Sequence, residues 1–272
     1  MLGAIIGDIA GSAFEFNSIK TKDFVLFGDH GGERCSFTDD SVMTLAVARA
    51  LLEASPDGSD LPGCAVRWMQ VLGRNHPNAG YGGRFYRWLF QNRPTSYNSY
   101  GNGSAMRVSP VAWAAGSLEE ALRLADAVTA VTHDHPDGLK GARATAACVY
   151  LARTGASREE IRDHVRAHYY PLEKTLAEIK PGYRFDVTCQ GSVPQAIQAF
   201  LEAESFEDAV RNAVSLGGDS DTQAAIAGSI AGPYFGIPGA LREQALAFLP
   251  EDLRDILLAF EARFGADPPA DR

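Results

Sequence analysis

Cysteine is scarce: Cys35, Cys64, Cys148 and Cys189 are scattered through 272 residues, and no two have zinc-ligand or redox spacing. This excludes a disulfide framework or a thiolate metal site and fits reduced thiols in a cytoplasm. Long apolar runs are missing as well. Gly, Pro or a charge interrupts each before membrane-spanning length, and Met1–Gly7 has neither a basic start nor a cleavage pattern, so a soluble, cytoplasmic protein with no membrane partner is expected. Positive charge is in deficit, with 25 Lys and Arg against 34 Asp and Glu and a net charge of −9. Tight non-specific nucleic-acid binding is therefore not expected, and any small anionic ligand must be met locally. Strand signals are almost absent, confined to Phe24–Phe27 and Phe185–Thr188.

What is present is helix. Residues 40–54, 61–73, 104–115, 118–131, 139–153, 158–168, 193–204, 206–215, 221–235, 239–248 and 251–264 carry apolar side chains at a spacing near 3.6, rich in Ala and Leu. Ser117, Ser157 and Ser205 each precede an acidic first turn, as N-caps do. With 46% hydrophobic residues, no linker-like composition shift and no fixed-period repeat, the chain reads as an all-α globule of crossing helices.

Two helix starts stand out. Gly217-Gly218-Asp219-Ser220-Asp221-Thr222 and Thr38-Asp39-Asp40-Ser41 each place two carboxylates and a hydroxyl just ahead of an apolar helical stretch. One Asp at a helix start is ordinary capping, since free N–H groups and the helix dipole favour it. Four acidic groups meeting in space are not. At roughly 4 Å and an effective dielectric of about 20, each like-charge pair costs on the order of 4 kcal/mol, so the cluster requires bound cations or raised pKa values. Hard oxygen donors select Mg²⁺, Mn²⁺ or Ca²⁺ over zinc, which points to a two-metal hydrolase. The small residues Ala224–Gly232 behind the second start permit close helix packing and predict that it is buried.

Three further segments carry candidate chemistry. Gly101-Asn102-Gly103-Ser104-Ala105-Met106-Arg107 is a loop leading into a helix, able either to cradle phosphate or simply to turn; Arg107 reads by default as a solvated helix charge. In Thr132-His133-Asp134-His135-Pro136-Asp137-Gly138 the two histidines would face different ways on a helix, a poor spacing for joint metal binding, so the segment reads either as a connecting loop with Pro136 opening a helix or as a ligand-contacting loop. Gly7-Asp8 through Phe16 reads as an apolar small-residue helix. Asp8 there could be a satisfied core polar group, and Glu15 gains interest only if it faces the acidic cluster.

Taken together and in this order, with Gly11-Ser12, Thr132-His133 and Ser192-Val193-Pro194 between them, these motifs resemble the ADP-ribosylglycohydrolase family over nearly the whole chain. The resemblance implies one all-α domain over 1–272, an orthogonal multi-helix bundle. It also implies a centre of two Mg²⁺ or Mn²⁺ ions and cleavage at the anomeric carbon of the distal ribose of ADP-ribose, releasing ADP-ribose from a conjugate such as an ADP-ribosylated protein. Thr38, Asp39 and Asp40 match ligands of one ion, Asp219 and Thr222 of the other, with Asp221 shared. Glu15, Asp39 and Asp40 match catalytic positions. Gly101, Asn102, Gly103, Ser104 and Met106, with His135, Pro136, Asp137, Gly138 and Leu139, match the segments that hold phosphates and riboses, and Val193 lies near the adenosine side. Ser41 and Ser220 stand where many members have Thr, which keeps a hydroxyl. His135-Pro136-Asp137 differs from the small polar run of serine-directed relatives, so the resemblance does not extend to the acceptor. A two-metal nucleotide phosphohydrolase and a non-catalytic ADP-ribose binder are the competing readings.

Overall fold

A computed structural model of the chain describes residues 1–270. Among these, fifteen helices carry the architecture: α1 Leu2–Ser12, α2 Asp39–Glu53, α3 Leu61–Asn75, α4 Gly83–Leu89, α5 Gly103–Met106, α6 Ser109–Ala114, α7 Leu118–Thr129, α8 Pro136–Arg153, α9 Arg158–His168, α10 Leu176–Ile179, α11 Cys189–Leu201, α12 Phe206–Val214, α13 Ser220–Phe235, α14 Gly239–Phe248 and α15 Glu251–Phe264. The only sheet among the described residues is a two-residue antiparallel hairpin, β1 Asp29–His30 and β2 Glu33–Arg34. Neither expected strand forms. Phe24–Phe27 is irregular, and Phe185–Thr188 reaches only an isolated bridge between Thr188 and Gly101.

The serine caps form as the sequence predicts: Ser117, Ser157 and Ser205 accept from the N–H groups of Glu120, Glu160 and Asp208. The expected helix 104–115 is broken, because Pro110 lacks the N–H that would continue it, and the chain restarts as α6 with Pro110 in its first turn. α4 carries no sequence signal, being too short to show a period. Among the described residues no helix is long and apolar enough to cross a membrane.

The core is organised around α13, whose residues Ser220–Pro233 are all buried; a helix that is apolar or small on every face belongs inside. It lies directly against α1, and Gly7 is the close point. A Cβ added there would sit 2.0 Å from the carbonyl oxygen of Ala224, so the two backbones touch where any side chain would hold them apart. The helix start reaches its place through Gly217, held at φ +64, a conformation costly for residues with a Cβ. The start of α2 is bonded to Asp8 of α1, and Thr222 at the start of α13 bonds Asp40, so the N-termini of α2 and α13 arrive together.

Candidate active site

The Asp-rich helix starts do not use their carboxylates as caps. At α2 the capping oxygen belongs to Thr38, whose Oγ1 accepts from the Asp40 N–H at 3.3 Å. At α13, Asp219 occupies the N-cap position but makes no cap bond; its Oδ2 accepts instead from Asn102 Nδ2 at 2.7 Å. Asp221 Oδ1 accepts from the Thr222 N–H at 2.9 Å; otherwise the carboxylates face a shared space, and the structure brings both sets together. Oxygens of Asp8, Asp40 and Asp221 lie within 4.8 Å of one another, as do those of Glu15, Asp219 and Asp221. Thr222 Oγ1 donates to Asp40 Oδ2 at 3.2 Å, tying one helix start to the other.

Asp8 explains how α2 is aimed. Fully buried in α1, its Oδ2 accepts from the N–H groups of Thr38 at 2.9 Å and Ser41 at 3.0 Å, and from the Ser41 hydroxyl; Oδ1 accepts from Thr38 Oγ1 at 2.6 Å. It is a satisfied core carboxylate that is also part of the acidic cluster, and its four donors make it the anchor of the α2 start. Glu15 lies beyond the end of α1, which stops at Ser12 rather than running to residue 16, and its half-buried side chain borders the cluster.

Burial and mutual repulsion hold these carboxyls far from their ordinary range. Glu15 is pushed up to about 8 by burial and by Asp221 and Asp8. Asp219 rises to about 6 through burial, with Glu15 and Asp39 adding to the rise and the Asn102 hydrogen bond opposing it. Asp39, Asp40 and Asp221 are raised well above their ordinary value, chiefly by burial, then by Asp221 and Asp8 for the first two and by Asp219 and Asp8 for Asp221. Asp40 Oδ1 is buried with no hydrogen-bond partner among the described residues. An orphaned carboxylate oxygen amid all-oxygen donors fits a hard divalent cation, and no Lys or Arg ion-pairs with these acids among the described residues.

The cluster floors a cavity of about 380 Å³ lined by Glu15, Asp39, Asp40, Asp219, Asp221 and Thr222 at one end and by Gly101, Asn102, Gly103, Met106 and His133 on another wall. Several expected ligand contacts do not line it. Ser104 is buried behind the wall, its hydroxyl donating to the Gly138 carbonyl at 2.9 Å. Gly138 is itself packed there, because a Cβ would meet the Ser99 carbonyl oxygen at 2.5 Å, and Val193 is fully buried in α11. His135 caps α8, its Nδ1 accepting from the Asp137 N–H at 3.1 Å, with Pro136 opening that helix and Leu139 in its first turn. The histidine that lines the cavity is His133, which the predicted alternation of the pair allows but does not choose. Arg107 is likewise not solvated: it is 1% exposed. Sequence reasoning also missed Arg84 and Phe85 of α4, Tyr97 and Val187, which line the cavity beside Gly80, Gly82, Gly83 and Ser99 and carry no motif.

An all-helical protein whose two helix starts crowd acids onto the floor of one cavity has the oxygen-donor set that a hard cation would require. More particularly, the chain belongs to the ADP-ribosylglycohydrolase family, whose model matches residues 1–268. It is 27% identical to ADP-ribosylhydrolase ARH3 of Gallus gallus, over 91% of this chain and 88% of that protein. It is 28% identical to ADP-ribosylarginine hydrolase Tri1 of Pseudomonas putida, over 88% of this chain and 70% of that protein. It is 27% identical to ADP-ribosyl-[dinitrogen reductase] glycohydrolase of Rhodospirillum rubrum, over 87% of this chain and 84% of that protein. Among solved structures, an ADP-ribosylglycohydrolase-related protein complex matches with a TM-score of 0.68 at 26% identity, covering 97% of each chain.

Proposed function

We propose that this protein is a divalent-cation-dependent hydrolase that cuts the bond between the anomeric carbon of the distal ribose of ADP-ribose and an acceptor, releasing ADP-ribose. The observation that carries the proposal is the set of mutually repelling carboxylates on the floor of a cavity whose wall is the Gly101–Gly103 loop. Thr38, Asp39 and Asp40 would hold one Mg²⁺ or Mn²⁺, Asp219 and Thr222 the other, with Asp221 between them. When bound, such ions supply Lewis acidity toward a sugar diol and a water.

The chain's own residues do the rest. Glu15, Asp39 and Asp40 orient a water and take its proton, Glu15 being the half-buried carboxyl on the open side of the cluster. Positive charge developing on the ribose ring meets the surrounding carboxylates, which were fixed in place before the reaction by Asp8, Asn102 and Thr222. Gly101, Asn102, Gly103 and Met106 contact the phosphates and riboses. Ser104, Gly138 and Val193 back that wall, and His135, Pro136, Asp137 and Leu139 fix the start of α8 that supports it.

The P. putida relative is by name an ADP-ribosylarginine hydrolase and the R. rubrum relative acts by name on dinitrogen reductase, which supports an ADP-ribosylated protein side chain as acceptor. Incubation with ADP-ribosyl-arginine and ADP-ribosyl-serine peptides and with O-acetyl-ADP-ribose, with and without Mg²⁺ or Mn²⁺, tests the reading. Cation-dependent release of ADP-ribose is expected. Release of AMP would instead assign a nucleotide phosphohydrolase, and binding of ADP-ribose without turnover of any conjugate would assign a non-catalytic binder.

A further inference from the structure

Arg107 is a buried guanidinium without a carboxylate partner among the described residues. Burying an unpaired cation is costly, so a device built around one asks for a reason. Its Nη2 lies 2.6 Å from Thr132 Oγ1 and 3.3 Å from His133 Nδ1, and its charge stands 5.4 Å over the ring of Phe85. Thr132 Oγ1 is in turn 2.7 Å from His133 Nδ1.

The donors in this chain fix every role. A guanidinium only donates, so Thr132 Oγ1 and His133 Nδ1 both accept from Arg107; Nδ1 is then an acceptor, and the Thr132 hydroxyl hydrogen goes to it. Nδ1 thus receives Thr132 O–H and Arg107 N–H together and has no room for a hydrogen of its own. The opposite ring nitrogen, Nε2, points at the Gly101–Gly103 loop: a Cβ built on Gly101 or Gly103 would lie 3.6 or 3.5 Å from it. His133 lines the cavity at that wall.

We infer that Arg107 is a positioning residue: directly and through Thr132 it fixes the His133 imidazole in the tautomer with its hydrogen on Nε2, aiming a hydrogen-bond donor at the Gly101–Gly103 wall and at a ligand oxygen held there. The inference rests on the ADP-ribose reading of the cavity. The groups that face His133 and Arg107 are the Tyr97 ring, 6.1 Å from the imidazole, and, acting on the guanidinium, Tyr97, Asp39 and Cys189. None is a carboxylate hydrogen-bonded to the imidazole, and burial together with the adjacent guanidinium holds His133 well below the usual histidine range. The donor therefore keeps one form across neutral pH, where a free histidine would switch.

Nitrogen-15 NMR of the full protein labelled on histidine tests this directly, with resonances assigned by a His133→Gln control. The expected His133 signals are those of a neutral ring with hydrogen on Nε2, unchanged from pH 8 to pH 5. A hydrogen on Nδ1, or titration of His133 in that window, would overturn the inference. Arg107→Met should let both tautomers form and bring the His133 titration into the window. Calorimetry with ADP-ribose should then show binding about tenfold weaker than wild type at pH 8, the scale of one hydrogen bond to a charged group. The deficit relative to wild type should close toward pH 5, where protonation restores the Nε2 hydrogen. A structural role alone would leave the deficit constant with pH, and that outcome would overturn the proposal. Thr132→Val, which removes the relay hydroxyl with little change of shape, gives the same readout in milder form should Arg107→Met fail to fold. If wild-type protein shows the expected tautomer yet does not bind ADP-ribose, the functional reading fails while the positioning of the ring stands.

Discussion

The floor of the cavity and the packing behind its wall carry buried charge of opposite sign. At the floor, Asp40 and Asp221 are buried among Asp8, Asp39, Asp219 and Glu15 with no ion-paired Lys or Arg among the described residues. Behind the wall, Arg107 is buried against a threonine hydroxyl, an imidazole and an aromatic face, and His133 and Phe85 stand between it and the cavity. A protein selected for stability alone would pair these charges or replace them with apolar groups. Kept apart, they suit the function proposed above, in which the floor would hold cations against a ribose and the guanidinium would act on the diphosphate through the His133 wall. One loop joins the two regions: Gly101, Asn102, Gly103 and Met106 line the cavity, and Asn102 reaches Asp219.

The floor end should break hardest. Asp221 takes part in both carboxylate groups, so Asp221→Ala should drop turnover below about one hundredth of wild type, as loss of groups organising a metal site does. Circular dichroism should stay helical, because the deleted group repels its neighbours and packs nothing apolar. Normal turnover of Asp221→Ala at low Mg²⁺ would remove Asp221 from its shared position. Glu15→Gln comes next. The amide keeps size and loses charge, and kcat should fall by about 10²-fold or more while ADP-ribose affinity changes little, since a proton acceptor acts on the transition state. Full single-turnover rate in Glu15→Gln would return Glu15 to the role of an ordinary loop acid and leave Asp39 or Asp40 to take the proton.

How far this division was legible in the sequence differs by element. The starts of α2 and α13 were readable because each packs two acids and a hydroxyl before an apolar stretch, and the small residues after Asp221 foretold burial. The serine-capped helices were readable from local chemistry alone. The wall was not. α4 is seven residues long and shows no period, yet it supplies Phe85 beneath Arg107. Arg107 itself looked solvated, because nothing near it in sequence reveals that Thr132, His133 and Phe85 close over it. Of the two histidines in Thr132–Gly138, spacing said that they face different ways, but only the packing of Thr132 against Arg107 decides that His133 turns inward and His135 caps α8. Local rules reach helix starts; a site assembled from separate loops depends on contacts far apart in the chain.

A smaller effect, on stability, sharpens the contrast at the floor. In cation-free protein Glu15 and Asp219 titrate near 8 and 6, above the value near 4 of an unfolded carboxyl, so the folded state binds the extra protons. The stabilisation from those protons is complete below about pH 4 and is lost as pH rises through about 6 and then about 8. The melting temperature in EDTA should therefore fall between pH 5 and pH 8. Mg²⁺ or Mn²⁺ takes the place of the protons, so its benefit should grow over the same window. At a hundred times its dissociation constant a cation adds about 2.7 kcal/mol, or roughly 5–10 °C for a chain of this size. Melting curves that do not respond to saturating Mg²⁺, Mn²⁺ or Ca²⁺ at pH 8 would mean that the carboxylates are held as neutral acids and not as ligands.

The wall should yield the smallest change, and a different kind. At Gly103 an added Cβ meets His133 Nε2 at 3.5 Å and Met106 Sδ at 3.9 Å, ordinary contact distances, so Gly103→Ala should fold and melt like wild type. The methyl group nevertheless stands between the imidazole donor and the cavity. ADP-ribose binding should weaken by about fivefold, the scale of one impaired hydrogen bond of about 1 kcal/mol. On the proposed reading the loop holds phosphates alike in ground and transition states, so kcat should be nearly unchanged and the loss should fall on KM. Gly138→Ala supplies the opposite control: its Cβ would lie 2.5 Å from the Ser99 carbonyl oxygen, so it should lower the melting temperature, a packing fault in the support of the wall. Calorimetry with ADP-ribose beside steady-state kinetics separates the cases. A fall in kcat for Gly103→Ala at unchanged affinity would place the loop against the reacting atoms, and the division of the cavity into a reacting floor and a binding wall would then be wrong.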